Sequence, residues 1–264
     1  MIIKFAKYQG TGNDFIMLDN RNGNYSVLKN SHVELLCDRK FGIGADGLIL
    51  LEEKADFDFD MVYYNSDGNV SSMCGNGGRC ITAFANSLQL INGKAIFNAI
   101  DGMHQSLIVS HRPMIVKLKM GDVNEIEQVG EDLFLNTGSP HYVRMVPDVM
   151  KVDVVAEARK IRNNGRFKAD GTNVNFVELN SSGMLVRSYE RGVEDETLSC
   201  GTGITASVLA SVMKGKIKDD AEFCEVKSMG GILKVYFEKA GNGFRNVWLE
   251  GEAKFVYAGE IELE

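Results

Sequence analysis

Proline is scarce in this chain: the 264 residues include 3 Pro, against roughly 13 expected from average usage, while Gly stands at 28 against roughly 18. Glycine in surplus without proline excludes collagen-like repeats and Pro/Gly-rich linkers. No apolar run approaches the roughly 18 residues that a membrane-spanning helix needs, and residues 1–10 lack the apolar stretch of a secretory leader. The expectation is a cytoplasmic protein with no membrane partner. Lys plus Arg number 29 against 36 Asp plus Glu, a net charge of −7, so a broad basic face is excluded and no nucleic acid is expected as a partner. The five Cys are an odd count without Cys-x-x-Cys spacing, which argues against a disulfide framework and the common zinc layouts. His32, His104, His111 and His141 are scattered without metal-ligand spacing, so no metal is expected. A Walker-type phosphate loop is missing, and the G-x-G-x-x-G of residues 42–47 follows a helical pattern and precedes a strand, the reverse of a dinucleotide-binding turn.

What the sequence does contain is repetition. Tyr64-Asn65-Ser66-Asp67-Gly68 followed by Cys74-Gly75-Asn76-Gly77 is echoed by Tyr189-Glu190-Arg191-Gly192 followed by Cys200-Gly201-Thr202-Gly203. Thr11-Gly12-Asn13 is matched in order by Thr137-Gly138-Ser139, and Asp101-Gly102 by Gly230-Gly231. The preserved order indicates two copies of one unit, expected at 1–129 and 130–264.

Residues 56–63 alternate between Asp and apolar side chains, the pattern of a half-buried strand, so Asp58 and Asp60 read as a solvated face rather than a catalytic pair. After Cys74 the period changes: Ile81, Phe84, Ala85 and Leu88 form one helical stripe ending near Gly93. In the second copy residues 184–189 read as a strand, and Ile204, Val208 and Val212 mark a helix stopped by Gly215. Ser31-His32-Val33-Glu34 resembles a capping box for a helix through about Arg39. Further strands are predicted over 48–51, 116–120, 174–179, 233–237 and 247–249. Several turns are too short for crossover helices, so the expected class is α+β: two pseudo-symmetric domains, each a mixed or antiparallel sheet wrapped around a central helix.

Each copy places a Cys where a strand's turn becomes a helix, directly before glycine. The orphan N–H groups and helix dipole at such a point stabilise negative charge, which favours a thiolate and also suits a ligand carboxylate. Glycine lets that ligand approach the amides of Gly75, Asn76, Gly201 and Thr202 closely. Two such ends flanking one anion would set a thiol on each face of a carbon, the arrangement that inverts an α-carbon beside a carboxylate. Cys37, Cys80 and Cys224 lie outside this pattern and read as packing residues. His141, in Ser139-Pro140-His141, is open between a site role and a core role on spacing alone.

Gly10-Thr11-Gly12-Asn13-Asp14-Phe15, Asn65-x-Asp67-Gly68, Cys74-Gly75-Asn76-Gly77-Gly78-Arg79-Cys80, Gly138-Ser139-Pro140-His141, Thr172-Asn173, and Tyr189 to Gly203 with its Glu190-Arg191-Gly192 resemble the diaminopimelate epimerase family, in order and along essentially the whole length. The resemblance implies a cofactor-independent enzyme that interconverts LL- and meso-diaminopimelate, on the route to lysine and peptidoglycan, and that forms homodimers. It further implies Cys74 and Cys200 as the acid/base pair, with the amides of Gly75, Asn76, Gly201 and Thr202 on the reacting carboxylate. Asn13 would contact substrate near that centre, and Asn65, Asn173 and Arg191 would read the distal end. Glu190, also on the substrate, and His141 match positions that tune the thiols. Gly47 and Ser139 depart from members that carry Gln and Asn there, so those two side-chain contacts are not carried over. A proline-racemase-like enzyme is the nearest alternative, but its first motif reads Cys-Gly-His-Gly where this chain has Asn76; a non-catalytic binding module would not need both Cys.

Overall fold

The computed structural model describes every residue except Ser72, Ser182 and Glu264. The chain divides into two compact units, residues 1–118 with 251–264, and residues 119–250. Among the described residues no helix is long and apolar enough to cross a membrane.

In the first unit the strands are β1 (Ile2–Gly10), β2 (Asn13–Asp19), β3 (Gly47–Glu52), β4 (Phe59–Asn65), β5 (Lys94–Ala99), β6 (Gly102–His111), β7 (Met114–Lys119) and, from the end of the chain, β17 (Lys254–Glu262). Helix α1 (Asn30–Cys37) lies between β2 and β3 in sequence, and α2 (Gly75–Ser87) between β4 and β5. From β17 the sheet runs antiparallel to β1, antiparallel to β2, parallel to β3, antiparallel to β4, parallel to β5 and antiparallel to β6. Helix α2 packs against β1, β2, β3, β4 and β6, so the sheet wraps it. Its residues from Gly75 to Ala85 are all buried, as a helix enclosed by a sheet requires. Helix α1 covers the other face, where Val33 and Leu36 meet Leu48, Leu50, Val62 and Tyr64.

The second unit holds β8 (Ile126–Val129), β9 (Asp132–Asn136), β10 (Pro140–Met145), β11 (Asn173–Asn180), β12 (Gly183–Glu190), β13 (Asp195–Thr197), β14 (Phe223–Ser228), β15 (Gly231–Ala240) and β16 (Gly243–Glu252). Helix α3 (Val154–Arg162) precedes β11, and α4 (Gly201–Met213) precedes β14. From β8 the pairings are antiparallel to β9, antiparallel to β10, parallel to β11, antiparallel to β12, parallel to β14 and antiparallel to β15. The series repeats that of the first unit, with α4 in the place of α2 and α3 in the place of α1. Helix α4 packs on β9, β10, β11, β12, β14 and β15, and its central residues are buried all round.

The expected break between 129 and 130 is corrected by strand pairing. β8 pairs with β9, which draws residues 119–129 into the second unit, and β17 pairs with β1, which returns the chain's end to the first. β8 and β17 therefore hold equivalent places at opposite positions in the sequence. Two local expectations also shift. The strand predicted from Asp56 begins at Phe59, since Asp56 has φ +68 and sits in a turn. Helix α1 is capped at Lys29 rather than Ser31, with His32 Nδ1 accepting from the Lys29 N–H at 3.2 Å. Asp58 and Asp60 do bind the sheet, accepting from the Ile96 N–H and the Asn98 amide, each at 2.7 Å.

Candidate active site

In the first unit Cys74 is the residue before α2, with extended backbone (φ −106, ψ 126). The first intrahelical bond runs from the Gly78 N–H to the Cys74 carbonyl at 2.8 Å, so the amides of residues 75–77 lie in the turn that has no carbonyl four residues back. Gly77 lets this turn sit close to the sheet: a Cβ there would fall 3.0 Å from Ile49 Cδ1 and 3.1 Å from Met61 Cε. The site is thus a positive helix end pressed against β3 and β4.

Asn13 reaches the thiol from the β1–β2 hairpin, whose turn residues Thr11 and Gly12 both have positive φ, 50 and 88. Cys74 is half-buried, and its sulfur lies 3.5 Å from Asn13 Oδ1. The Asn13 amide donates to Asp46 Oδ2 at 2.7 Å, and Asn76 Nδ2 donates to Asn13 Oδ1 at 3.4 Å. Arg79, fully buried, donates to Asn76 Oδ1 at 2.8 Å, to Thr11 Oγ1 at 3.3 Å and to the Gly75 carbonyl at 3.3 Å. Behind Asp46 stands a charge network: Arg39 bridges Asp14 at 2.7 Å and Asp46 at 2.8 Å, and Lys7 meets Asp14 at 2.8 Å while donating to the Gly44 carbonyl. Burial alone would push the Asp14 carboxyl up, but the hydrogen bonds and charges of Arg39 and Lys7 outweigh it and hold the group at about 2. Asn65 ends β4, paired with Gly47 on β3.

In the second unit Cys200 precedes α4 with nearly the same backbone (φ −106, ψ 108), and the Ile204 N–H bonds its carbonyl at 2.8 Å. The buried sulfur lies 3.5 Å from Thr202 Oγ1, and Thr137 Oγ1 donates to the Thr202 carbonyl at 2.8 Å. Gly203 holds the place of Gly77: a Cβ on it would fall 2.3 Å from Asn175 Oδ1. His141 is fully buried. Burial, with the Arg191 charge adding, pulls its pKa down to about 3, so it is neutral at ordinary pH. Asn175 Nδ2 lies 3.1 Å from His141 Nδ1 and Asn173 Nδ2 lies 3.5 Å from its Nε2; a neutral imidazole has a single acceptor nitrogen, so the ring accepts from only one of the two amides. The Arg191 N–H donates to Asn173 Oδ1 at 2.8 Å, and the Arg191 guanidinium donates to the Asp170 carbonyl at 2.9 Å. Glu190 accepts from the Thr197 hydroxyl.

The residues singled out from the sequence thus form two clusters. Asn13, Cys74, Gly75 and Asn76 gather at the start of α2, with Asn65 at the neighbouring strand end. Cys200, Gly201 and Thr202 start α4, and His141, Asn173, Glu190 and Arg191 follow one another at the ends of β10, β11 and β12. Sequence reading missed Asp46, Arg79 and Asn175. Asp46 lay inside a glycine-rich turn set aside as a failed nucleotide motif, and Arg79 lay inside a helix whose burial on every side the apolar stripe did not reveal. The remaining thiols behave as packing: burial pushes Cys37 and Cys80 up to about 12 and Cys224 up to about 11.

A sequence family described as diaminopimelate epimerase matches residues 5–126 and 133–256. A diaminopimelate epimerase of Flavobacterium psychrophilum is 48% identical over 260 residues, covering 98% of this chain and 100% of the relative. Among solved structures, a PhzF-family phenazine biosynthesis protein of Bacillus anthracis superposes with a TM-score of 0.78 at 13% identity, covering 100% of both chains. A probable proline racemase of Agrobacterium radiobacter gives 0.70 at 12% identity, covering 99% of this chain and 93% of the other. At these identities the two structures speak to the fold alone.

Proposed function

The chain belongs to the diaminopimelate epimerase family, and on that premise we propose that it interconverts LL- and meso-diaminopimelate by exchanging the proton on one α-carbon between two thiols, in lysine biosynthesis. One observation carries the reading: two units with the same pairing series each set a cysteine immediately before the central helix. The thiolate of one Cys removes the α-proton, the electron pair passes to the carbon beside the carboxylate, and the thiol of the other Cys delivers a proton to the opposite face. Each thiol ends in the state from which its partner began, so the reverse reaction uses the same pair with the roles exchanged.

The carboxylate beside the reacting carbon carries the charge that grows in the transition state, and the amides of Gly75, Asn76, Gly201 and Thr202 are suited to it because helix N-termini favour anions. Asn13 contacts substrate beside Cys74, with its amide anchored on Asp46. Arg191 offers a bidentate fork to the distal carboxylate, with Asn65 and Asn173 around it, while Glu190 touches substrate and tunes a thiol. His141, neutral and buried beside Asn173 and Asn175, bears on the Cys200 side by its position rather than by charge. The chemistry needs no pyridoxal cofactor and no metal. We further infer a cytoplasmic homodimer, which the exposed apolar Phe255, Val256 and Tyr257 on β17 favour.

Purified protein in D2O, given LL- or meso-diaminopimelate without pyridoxal phosphate and with chelator, is expected to place deuterium at one α-carbon. Cys74→Ala and Cys200→Ala should each abolish epimerisation, and full activity in either would overturn the two-thiol mechanism. L-Proline as a parallel substrate should remain unlabelled.

A further inference from the structure

The two units place a comparable rung of residues beside their cysteines. In the second unit His141 pairs with Asn173, and Asn173 and Glu190 stand one step beyond the Val174–Tyr189 pair. In the first unit the same place in the pairing series is held by Phe15, Gly47 and Asn65. The middle member is a polar amide in one unit and has no side chain in the other.

The space at Gly47 is occupied. A Cβ there would fall 2.5 Å from Tyr63 Cε2, 3.1 Å from the Tyr63 hydroxyl and 2.5 Å from the Tyr64 carbonyl. Tyr63 pairs with Ile49, two steps along β3, so its side chain leans along the sheet until the hydroxyl lies level with the Gly47–Asn65 rung. Its ring is braced edge-on against Phe15, with centroids 5.9 Å apart and planes at 76°. The face it belongs to is settled by its neighbours. Val62 and Tyr64 pack into the core beneath α1, while Met61, which alternation puts on the same face as Tyr63 and Asn65, reaches the first turn of α2 at Gly77. Tyr63 therefore stands on the face turned toward the helix end that carries Cys74.

We propose that Tyr63 is a specificity-determining residue of the substrate site, its hydroxyl taking beside Gly47 the polar place that Asn173 holds in the second unit. Its ligand is a polar group at the non-reacting end of a diamino-dicarboxylate, on the side read by Asn65; the inference rests on the epimerase reading. A phenol suits this place because it donates to a carboxylate or accepts from an ammonium. The ring supplies rigid packing that a flexible side chain on β3 would not.

Tyr63→Phe keeps the ring and its contact with Phe15 while removing the hydroxyl. KM for LL-diaminopimelate is expected to rise about tenfold, the order of one hydrogen bond to a charged group, with kcat within about twofold of wild type. A purely structural tyrosine would instead leave KM alone. Tyr63→Leu, which also loses the aromatic contact, should raise KM at least as far. Wild-type KM in Tyr63→Phe, in an enzyme whose wild type epimerises diaminopimelate, overturns the role of Tyr63 alone. Absence of deuterium incorporation by the wild type overturns the epimerase reading and this inference with it.

Discussion

The Asn13 amide donates to Asp46 at 2.7 Å, and this bond decides which end of the amide Cys74 meets. A carboxylate can only accept, so Nδ2 is committed to Asp46 and Oδ1 is left 3.5 Å from the sulfur. Asp46 in turn is held by Arg39 and accepts from the Asp14 N–H at 3.2 Å. Asp46→Ala should free the amide to rotate without removing any group that touches substrate. The expected result is a loss of roughly a hundredfold in kcat/KM, the scale of a small misplacement at a reacting centre. Steady-state kinetics beside a thermal melt test it; activity within twofold of wild type would show that the anchor does not matter.

At the other end of the same chain of bonds, Arg79 fixes Asn76. Among the described residues Arg79 meets no carboxylate; its guanidinium spends its bonds on neutral oxygens, and Nε has no partner. A buried cation without a counter-charge contributes little stability, because its desolvation offsets its hydrogen bonds. Arg79→Met should therefore cost no more than about 1 kcal/mol in urea unfolding, while kcat/KM falls at least tenfold as Asn76 loses its orientation. A large loss of stability with activity kept would reverse this assignment.

Much of this architecture was legible in the residues. The Cys-Gly repeat located both helix starts, since the change from alternation to a helical stripe falls at Cys74 itself. The strand at 47–52 stood out because its run of Leu and Ile is uninterrupted. The end of the chain was not legible in this way. β17 is largely exposed, and its place is decided by hydrogen bonding to β1 across nearly the full sequence. Asp46 and Arg79 escaped for a related reason: what matters about each is a partner distant in the chain, Asn13 or Thr11, and spacing carries no trace of it.

The thiols should separate by reactivity. Cys37 and Cys80 are buried with their thiols pushed up to about 12, and Cys224 stands at about 11, so at neutral pH these three carry very little thiolate. Cys74 stands half-buried at a helix N-terminus. Limiting iodoacetamide at pH 7.5, with peptide mapping by mass spectrometry, should modify Cys74 well before Cys37 or Cys80, and diaminopimelate should protect it. Faster labelling of Cys80 than of Cys74 would contradict the electrostatic distinction between them.

Gly203 should tolerate no side chain. A Cβ on it would lie 2.3 Å from Asn175 Oδ1, which already accepts from Ser188 Oγ at 2.8 Å, so either Asn175 or α4 must move. Gly203→Ala is expected to destabilise by about 1–3 kcal/mol, the usual cost of overpacking. It should also reduce kcat, because Asn175 orients His141. Gly165→Ala provides the contrast: a Cβ there meets nothing within 4 Å, and stability and activity should stay at wild-type levels.

His141 makes the stability of the fold depend on pH in a definite window. Its folded pKa is held near 3 by burial and by the Arg191 charge, below the ordinary value of 6.5. As pH falls below 6.5 the unfolded chain takes up this proton and the folded chain does not, so the unfolded state gains. The contribution is complete above pH 6.5 and is lost progressively as pH falls toward 3. The Asp14 carboxyl, lowered from 3.8 to about 2, acts only at still lower pH, and Glu127, Glu194 and Glu238, held below their ordinary 4.5, enter as pH approaches that value, so the interval from 6.5 to about 5.5 isolates the imidazole. Urea midpoints should fall across that interval in the wild type. In His141→Gln, whose side-chain oxygen can accept from Asn175 without titrating, they should stay nearly level. An imidazole NMR resonance of the folded protein titrating near pH 6.5 and assigned to His141 would remove the basis for this dependence.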